Sequence, residues 1–163
     1  MYNYVMQDII IGSDHNGFNL KTQIKQFLLD KKLFVIDVGV PSAARPDNDL
    51  KTPPILSVVK EVTESVKTSK HFAGILICAS GAGVVIAANR FKGIRAAVCP
   101  SPDAAKNMRE HNDINVLCIS ANYGGDFEET KKIITTFLNT RFMSEVTRYR
   151  IRCDLFDKME EVK

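Results

Sequence analysis

The chain has 163 residues, enough for one domain with a sizeable core, and its 45% hydrophobic and 25% charged residues are ordinary for a soluble globular protein. A net charge of +3 argues for neither nucleic acid nor a membrane surface as partner, and is compatible with a small anionic substrate. Four cysteines without a C-x-x-C pair argue against a zinc site and a disulfide framework. With no signal-like opening and no apolar run of spanning length, they predict a reducing cytoplasm.

Val5 to Ile11 reads as a first strand, too β-branched and apolar at Ile9-Ile10-Ile11 for a surface edge. After a polar break at Gly12 to Gly17, Leu20, Ile24, Phe27 and Leu28 repeat at helical spacing. Leu33 to Val38 is a second strand. A polar, proline-rich loop from Pro41 to Thr52 leads through Pro53-Pro54 into a helix marked by Ile55, Val58, Val59, Val62 and Val66. Ala73 to Cys78 is a third strand followed by a helix from Gly83 to Phe91, and Ile94 to Val98 is a fourth strand. Ser101-Pro102 supplies an N-cap and first helical position for a helix ending near His111. Asn115 to Ile119 is a fifth strand. Ile133, Ile134, Phe137 and Leu138 belong to the next helix, and a last helix runs from about Thr147 to Glu160. Strands alternating with helices predict an α/β fold: one doubly wound, Rossmann-like domain over 1–163, with a five-stranded parallel sheet, right-handed crossovers, helices on both faces and a C-terminal helix. Ligands of such sheets sit outside the carboxyl ends of the strands, where Asp14-His15, Cys78 to Gly83 and the loops after strands four and five converge.

The stretch Gly74 to Gly83 delivers a thiol to the mouth of a small-residue loop that opens a helix. Backbone N–H groups there suit an anion or a developing oxyanion, and the helix start favours a thiolate. Most free cysteines are instead buried and inert, which is how Cys99 and Cys118 read. A nucleotide fingerprint fails, because Ile86 stands where a third small residue is needed and no P-loop pattern occurs. Asp14 beside His15 either holds a substrate or caps the following helix. His111-Asn112-Asp113 fits a helix C-terminus, and His71 lies in a polar connector. Arg148 and Arg152, one turn apart, form either a phosphate clamp or a solvated basic face.

Taken in order, these stretches resemble the ribose-5-phosphate isomerase type B family, which includes galactose-6-phosphate isomerase subunits. The matching residues are Ile11-Gly12-Ser13-Asp14-His15-Asn16-Gly17-Phe18, Gly74 to Cys78 with Ser80-Gly81-Ala82-Gly83, Ile86 to Arg90, Gly93-Ile94-Arg95-Ala96, and His111-Asn112-Asp113 with Asn115-Val116. The resemblance implies interconversion of ribose 5-phosphate and ribulose 5-phosphate, in the non-oxidative branch of the pentose phosphate pathway, through a cis-enediolate and without metal or organic cofactor. It makes Cys78 the base, and Ser80 with the Gly81, Ala82 and Gly83 loop the pocket for the enediolate oxygen. His111 opens the sugar ring, Asp14 and Asn112 hold sugar oxygens, and His15, Arg148 and Arg152 bind phosphate. It also implies a homodimer or dimer of dimers with shared sites. Three positions depart from the family pattern: Ala79 where glycine is usual, Asn122 in place of a phosphate-touching arginine, and Thr52-Pro53-Pro54 in place of Asp-Tyr-Pro. These departures bear on substrate preference. A galactose-6-phosphate isomerase subunit and a non-catalytic sugar-phosphate-binding protein are the alternatives. The His-Asn-Asp arrangement argues against the first, and the complete set of proton-transfer residues against the second.

Overall fold

Three strands supply the apolar centre. β1 (Asp8–Ser13), β3 (Phe72–Cys78) and β5 (Val116–Ser120) are buried almost throughout, as expected where helices cover both faces. The half-exposed β2 (Phe34–Asp37) and the short β4 (Ala96–Val98) form the two edges. This computed structural model describes residues 8–43, 54–69 and 72–159. Every pairing is parallel, in the order β2-β1-β3-β5-β4.

Side-chain alternation along the strands sorts the helices into two layers. Ile9, Ile11, Ile75, Ile77, Leu117 and Ile119 face α1 (Phe18–Asp30), α4 (Pro102–Asn112) and α5 (Phe127–Asn139), where Ile24, Leu28, Ala105, Ile134 and Phe137 complete one core. Ile10, Leu76, Cys78, Val116 and Cys118 face α2 (Pro54–Thr68) and α3 (Ala82–Ala88), meeting Val58, Val59, Val62, Val84 and Ala88. Each fully buried isoleucine or leucine contributes roughly 2 kcal/mol by leaving water. A final helix, α6 (Thr147–Lys158), lies against α4.

The expected doubly wound architecture is present, with shifts at element ends. Within the described residues β1 begins at Asp8; Val5 to Gln7, most of the Pro41–Thr52 loop, Pro53, His71 and Glu160 lie outside them. α3 stops at Ala88 rather than Phe91, because the Asn89 amide accepts from Ala96 N–H at 2.8 Å and donates to Ala96 C=O at 2.9 Å. The chain then tightens, with Arg90 and Phe91 N–H groups bonding three residues back. β4 starts at Ala96 rather than Ile94, since Gly93 turns at φ +77° and the Arg95 N–H goes to the Asn115 side chain instead of a ladder partner. Ser101 caps α4 as expected, its hydroxyl accepting from Ala104 N–H at 3.2 Å.

Candidate active site

The helices that follow β1 and β3 leave to opposite faces of the sheet, which opens a crevice between the carboxyl ends of these neighbouring strands. Ser13 is level with Ile77, and the Asp14 N–H still bonds Ile77 C=O at 3.3 Å. Gly17 then passes so close that a Cβ there would lie 2.7 Å from the Ile77 carbonyl oxygen. Asp14-His15 and the Cys78 loop are therefore neighbours. The Asp14 carboxylate accepts from Gly17 N–H at 3.0 Å and from the Asn16 amide at 3.4 Å. One oxygen thus caps the turn into α1, so the capping role and the site role can coexist in one half-buried side chain.

Cys78 ends β3 with its side chain 7% exposed. Its Sγ accepts from the Gly81 N–H at 3.2 Å, and the Ser80 hydroxyl accepts from Ala82 N–H at 3.3 Å. Gly81 makes this turn possible: its φ of +79° is left-handed, and a Cβ would meet Val98 Cγ2 at 2.9 Å. The other three cysteines are shifted by their surroundings. Burial pushes Cys99 up to about 11, and burial with the neighbouring Cys78 and Cys99 sulfurs pushes Cys118 higher still. Cys153 is also raised, by burial. Cys99 and Cys118 are packing residues, as expected.

The turn after β5 is knitted onto this loop. Ala121 N–H bonds Cys78 C=O at 2.9 Å, and Asn122 N–H bonds Ala79 C=O at 3.0 Å. Ser120, not singled out from the sequence, is buried level with Cys78 and donates its hydroxyl to Ala79 C=O at 2.8 Å. A polar residue closing an otherwise apolar strand beside Cys78 is the signal that would have found it.

The remaining expected residues lie elsewhere. α4 runs back across the sheet and ends at Asn112, and Asn115 then accepts from Gly74 N–H and donates to Arg95 C=O at the strand starts. Cys78 is four residues further along β3, about 13 Å away along the strand. His111 stacks on Tyr149 with ring centroids 4.3 Å apart. Arg148 donates to the Tyr149 hydroxyl at 2.8 Å, and Arg152 donates to Asn112 Oδ1 at 2.9 Å. Both guanidiniums lie over the Tyr149 ring, at 4.7 and 5.6 Å. Tyr149, also unread from the sequence, is thus the hub joining the two arginines to His111. Asp113, left-handed at φ 48°, anchors this corner through Arg95 at 2.7 Å and Arg109 at 2.8 Å. The fold therefore gathers two separate groups: Asp14, His15, Cys78 and Ser80 to Gly83 at the carboxyl edge, and His111, Asn112, Arg148 and Arg152 at the amino edge.

Residues 9–155 match the Ribose/Galactose Isomerase family model. The chain belongs to this family. It is similar to ribose-5-phosphate isomerase B of Escherichia coli (strain K12), 36% identical over 156 residues, covering 96% of this chain and 98% of the relative. The structure of ribose-5-phosphate isomerase B from Mycoplasma genitalium with bound ribulose-5-phosphate superposes with a TM-score of 0.83 at 35% identity, covering 96% of this chain and 97% of that one. A 4-deoxy-4-sulfo-D-erythrose isomerase from Clostridium sp. (strain MSTE9) is 32% identical over 147 residues, 87% of this chain and 85% of the relative. Like these relatives, the chain is an aldose–ketose isomerase. Among the described residues no helix is long and apolar enough to cross a membrane.

Proposed function

We propose that the protein interconverts D-ribose 5-phosphate and D-ribulose 5-phosphate with Cys78 as the base. The observation that carries this reading is the Cys78 thiol, held by the Gly81 N–H at 3.2 Å at the end of β3, beside Asp14-His15. On the open-chain aldose, the thiolate takes the proton from C2. The electron pair forms a C1–C2 double bond and the C1 carbonyl oxygen becomes the enediolate oxygen. Ser80 and the N–H groups of the Gly81, Ala82 and Gly83 loop stabilise that oxygen as charge develops. The Cys78 thiol returns the proton to C1, the 2-hydroxyl gives up its proton to become the ketone, and O1 is protonated. One base serves both carbons because they lie on the same face of a cis-enediolate.

His111 promotes ring opening, Asp14 and Asn112 hold sugar oxygens, and His15, Arg148 and Arg152 take the phosphate, whose binding supplies orientation at the reacting carbons. These groups act together in a homodimer or dimer of dimers, in which a second copy brings His111, Asn112, Arg148 and Arg152 to the Cys78 edge of the first. The separation of the two groups within one chain supports that arrangement. The reaction places the enzyme in the non-oxidative pentose phosphate branch, in the cytoplasm.

A second reading concerns the anionic end of the substrate. Asn122 stands where the resemblance calls for a phosphate-binding arginine, and one relative is named for a sulfonated tetrose. Turnover should therefore be compared on ribose 5-phosphate, galactose 6-phosphate and 4-deoxy-4-sulfo-D-erythrose. The proposal expects the highest kcat/KM on ribose 5-phosphate. A higher value on the sulfonate would transfer the assignment, and binding of all three without turnover would establish a binding protein instead.

A further inference from the structure

We infer that Ser120 is a positioning residue for the Cys78 loop: its hydroxyl fixes the peptide between Ala79 and Ser80, and through it the thiol and the N–H groups beside it. The inference rests on the isomerase reading for its kinetic consequence, while its structural content stands on the hydrogen bonds alone.

Ser120 is the last residue of β5, level with Cys78, and 6% exposed. A serine hydroxyl has one proton to donate and two lone pairs. All three are used. It donates to Ala79 C=O at 2.8 Å, since a carbonyl can only accept, and it accepts from Asn122 N–H at 3.2 Å and Tyr123 N–H at 2.9 Å. The Ala79 carbonyl in turn receives two donors, Ser120 Oγ and the Asn122 N–H at 3.0 Å. Both of its lone pairs are committed, so that peptide plane cannot rotate without breaking two bonds. Because the peptide is trans, the Ser80 N–H points opposite to that carbonyl, away from the β5 turn. The hydroxyl therefore sets the direction of the first N–H after Cys78.

The same hydroxyl also holds its own side of the contact. By accepting from Asn122 and Tyr123 it closes the turn after β5, and Gly124 then packs so tightly that a Cβ would lie 2.5 Å from the Ser120 carbonyl oxygen. Loss of the hydroxyl frees one lone pair of Ala79 C=O, removes the acceptor of the Tyr123 N–H and leaves the Asn122 N–H with Ala79 C=O alone. The loop that presents Gly81 N–H to Sγ, and its neighbouring N–H groups to the enediolate oxygen, loses definition while the groups assigned to the phosphate are unchanged. A small displacement at a reacting group lowers turnover rather than affinity.

The test uses the full-length protein and its Ser120→Ala and Ser120→Thr variants, with ribose 5-phosphate kinetics and the rate at which iodoacetamide labels Cys78, read by peptide mass spectrometry. Ser120→Ala should lower kcat about tenfold with KM within about twofold, and should slow Cys78 alkylation severalfold because the loop no longer fixes the orientation of the sulfur. Ser120→Thr, which keeps the hydroxyl, should restore both. Wild-type kcat and alkylation in Ser120→Ala would overturn the inference, and so would equal losses in the alanine and threonine variants. If Ser120→Ala fails to fold, Ser120→Gly removes the same hydroxyl and is read in the same way. Should the wild type turn over no sugar phosphate, the reaction assignment fails on its own, and alkylation alone decides the role of Ser120: slowed labelling supports it, unchanged labelling overturns it.

Discussion

Gly81 shows how one residue couples backbone and chemistry. Its left-handed φ of +79° turns the chain so that its own N–H meets Cys78 Sγ, and Val98 leaves no room for a side chain. Gly81→Ala should destabilise the fold by about 1–2 kcal/mol in a denaturant titration and cut turnover as well, because strain and the lost thiol contact arise together. The cysteines divide at the same scale. Cys99 and Cys118, both pushed up by burial, should resist iodoacetamide at pH 7.5 in the folded protein and react only on unfolding, as peptide mapping would read. The glycine-loop thiol was legible in the sequence because small residues after a buried strand have few other uses. Ser120 was not, since a serine at a strand end looks the same whether its hydroxyl meets water or a loop carbonyl.

Among the elements, α1 is tied to β2 through a buried charge. Lys21, 3% exposed, donates to Asp37 at 2.7 Å and to Val40 C=O at 3.2 Å, while Lys25 reaches the second Asp37 oxygen at 3.1 Å. Burial alone pushes the Asp37 carboxyl up, but the hydrogen bonds from Lys21, Gly39 N–H and Lys25 outweigh it and hold the group below its ordinary 3.8. A folded-state value below the unfolded one means stability that is fully present above pH 3.8 and lost as pH falls through the lowered value. Asp37→Asn should therefore cost about 2 kcal/mol at pH 7, and the gap from wild type should close under acid below that value; chemical unfolding at several pH values checks both. Strands and helices of this kind were readable because apolar spacing reports them directly. Their ends were less so: α3 stops early and β4 starts late because the Asn89 and Asn115 side chains capture backbone groups, a tertiary choice that periodicity does not encode.

At the scale of the whole molecule, the two groups of expected site residues occupy opposite edges of one sheet. The carboxyl-edge group was legible from the rule that parallel sheets bind ligands at strand ends. The distance to His111 was not, because helix direction matters there more than sequence order. α6 also exposes Ile151, Leu155 and Phe156, with Met159 just past its end, at spacings of one helical face, next to the turn that carries Arg148 and Arg152. If a second copy completes each site, mixing Cys78→Ala protein with His111→Ala protein after mild dissociation should regain about a quarter of wild-type activity, since half the dimers are mixed and each has one intact site. No regain on mixing would place all the groups in one chain. The claim beneath all of this is that Cys78 moves the proton. The most direct measurement is ribose 5-phosphate turnover by the wild type beside Cys78→Ala of equal thermal stability. The account predicts readily measured turnover in the first and a loss of about 10²–10⁴-fold in kcat in the second; an unimpaired Cys78→Ala enzyme would contradict it.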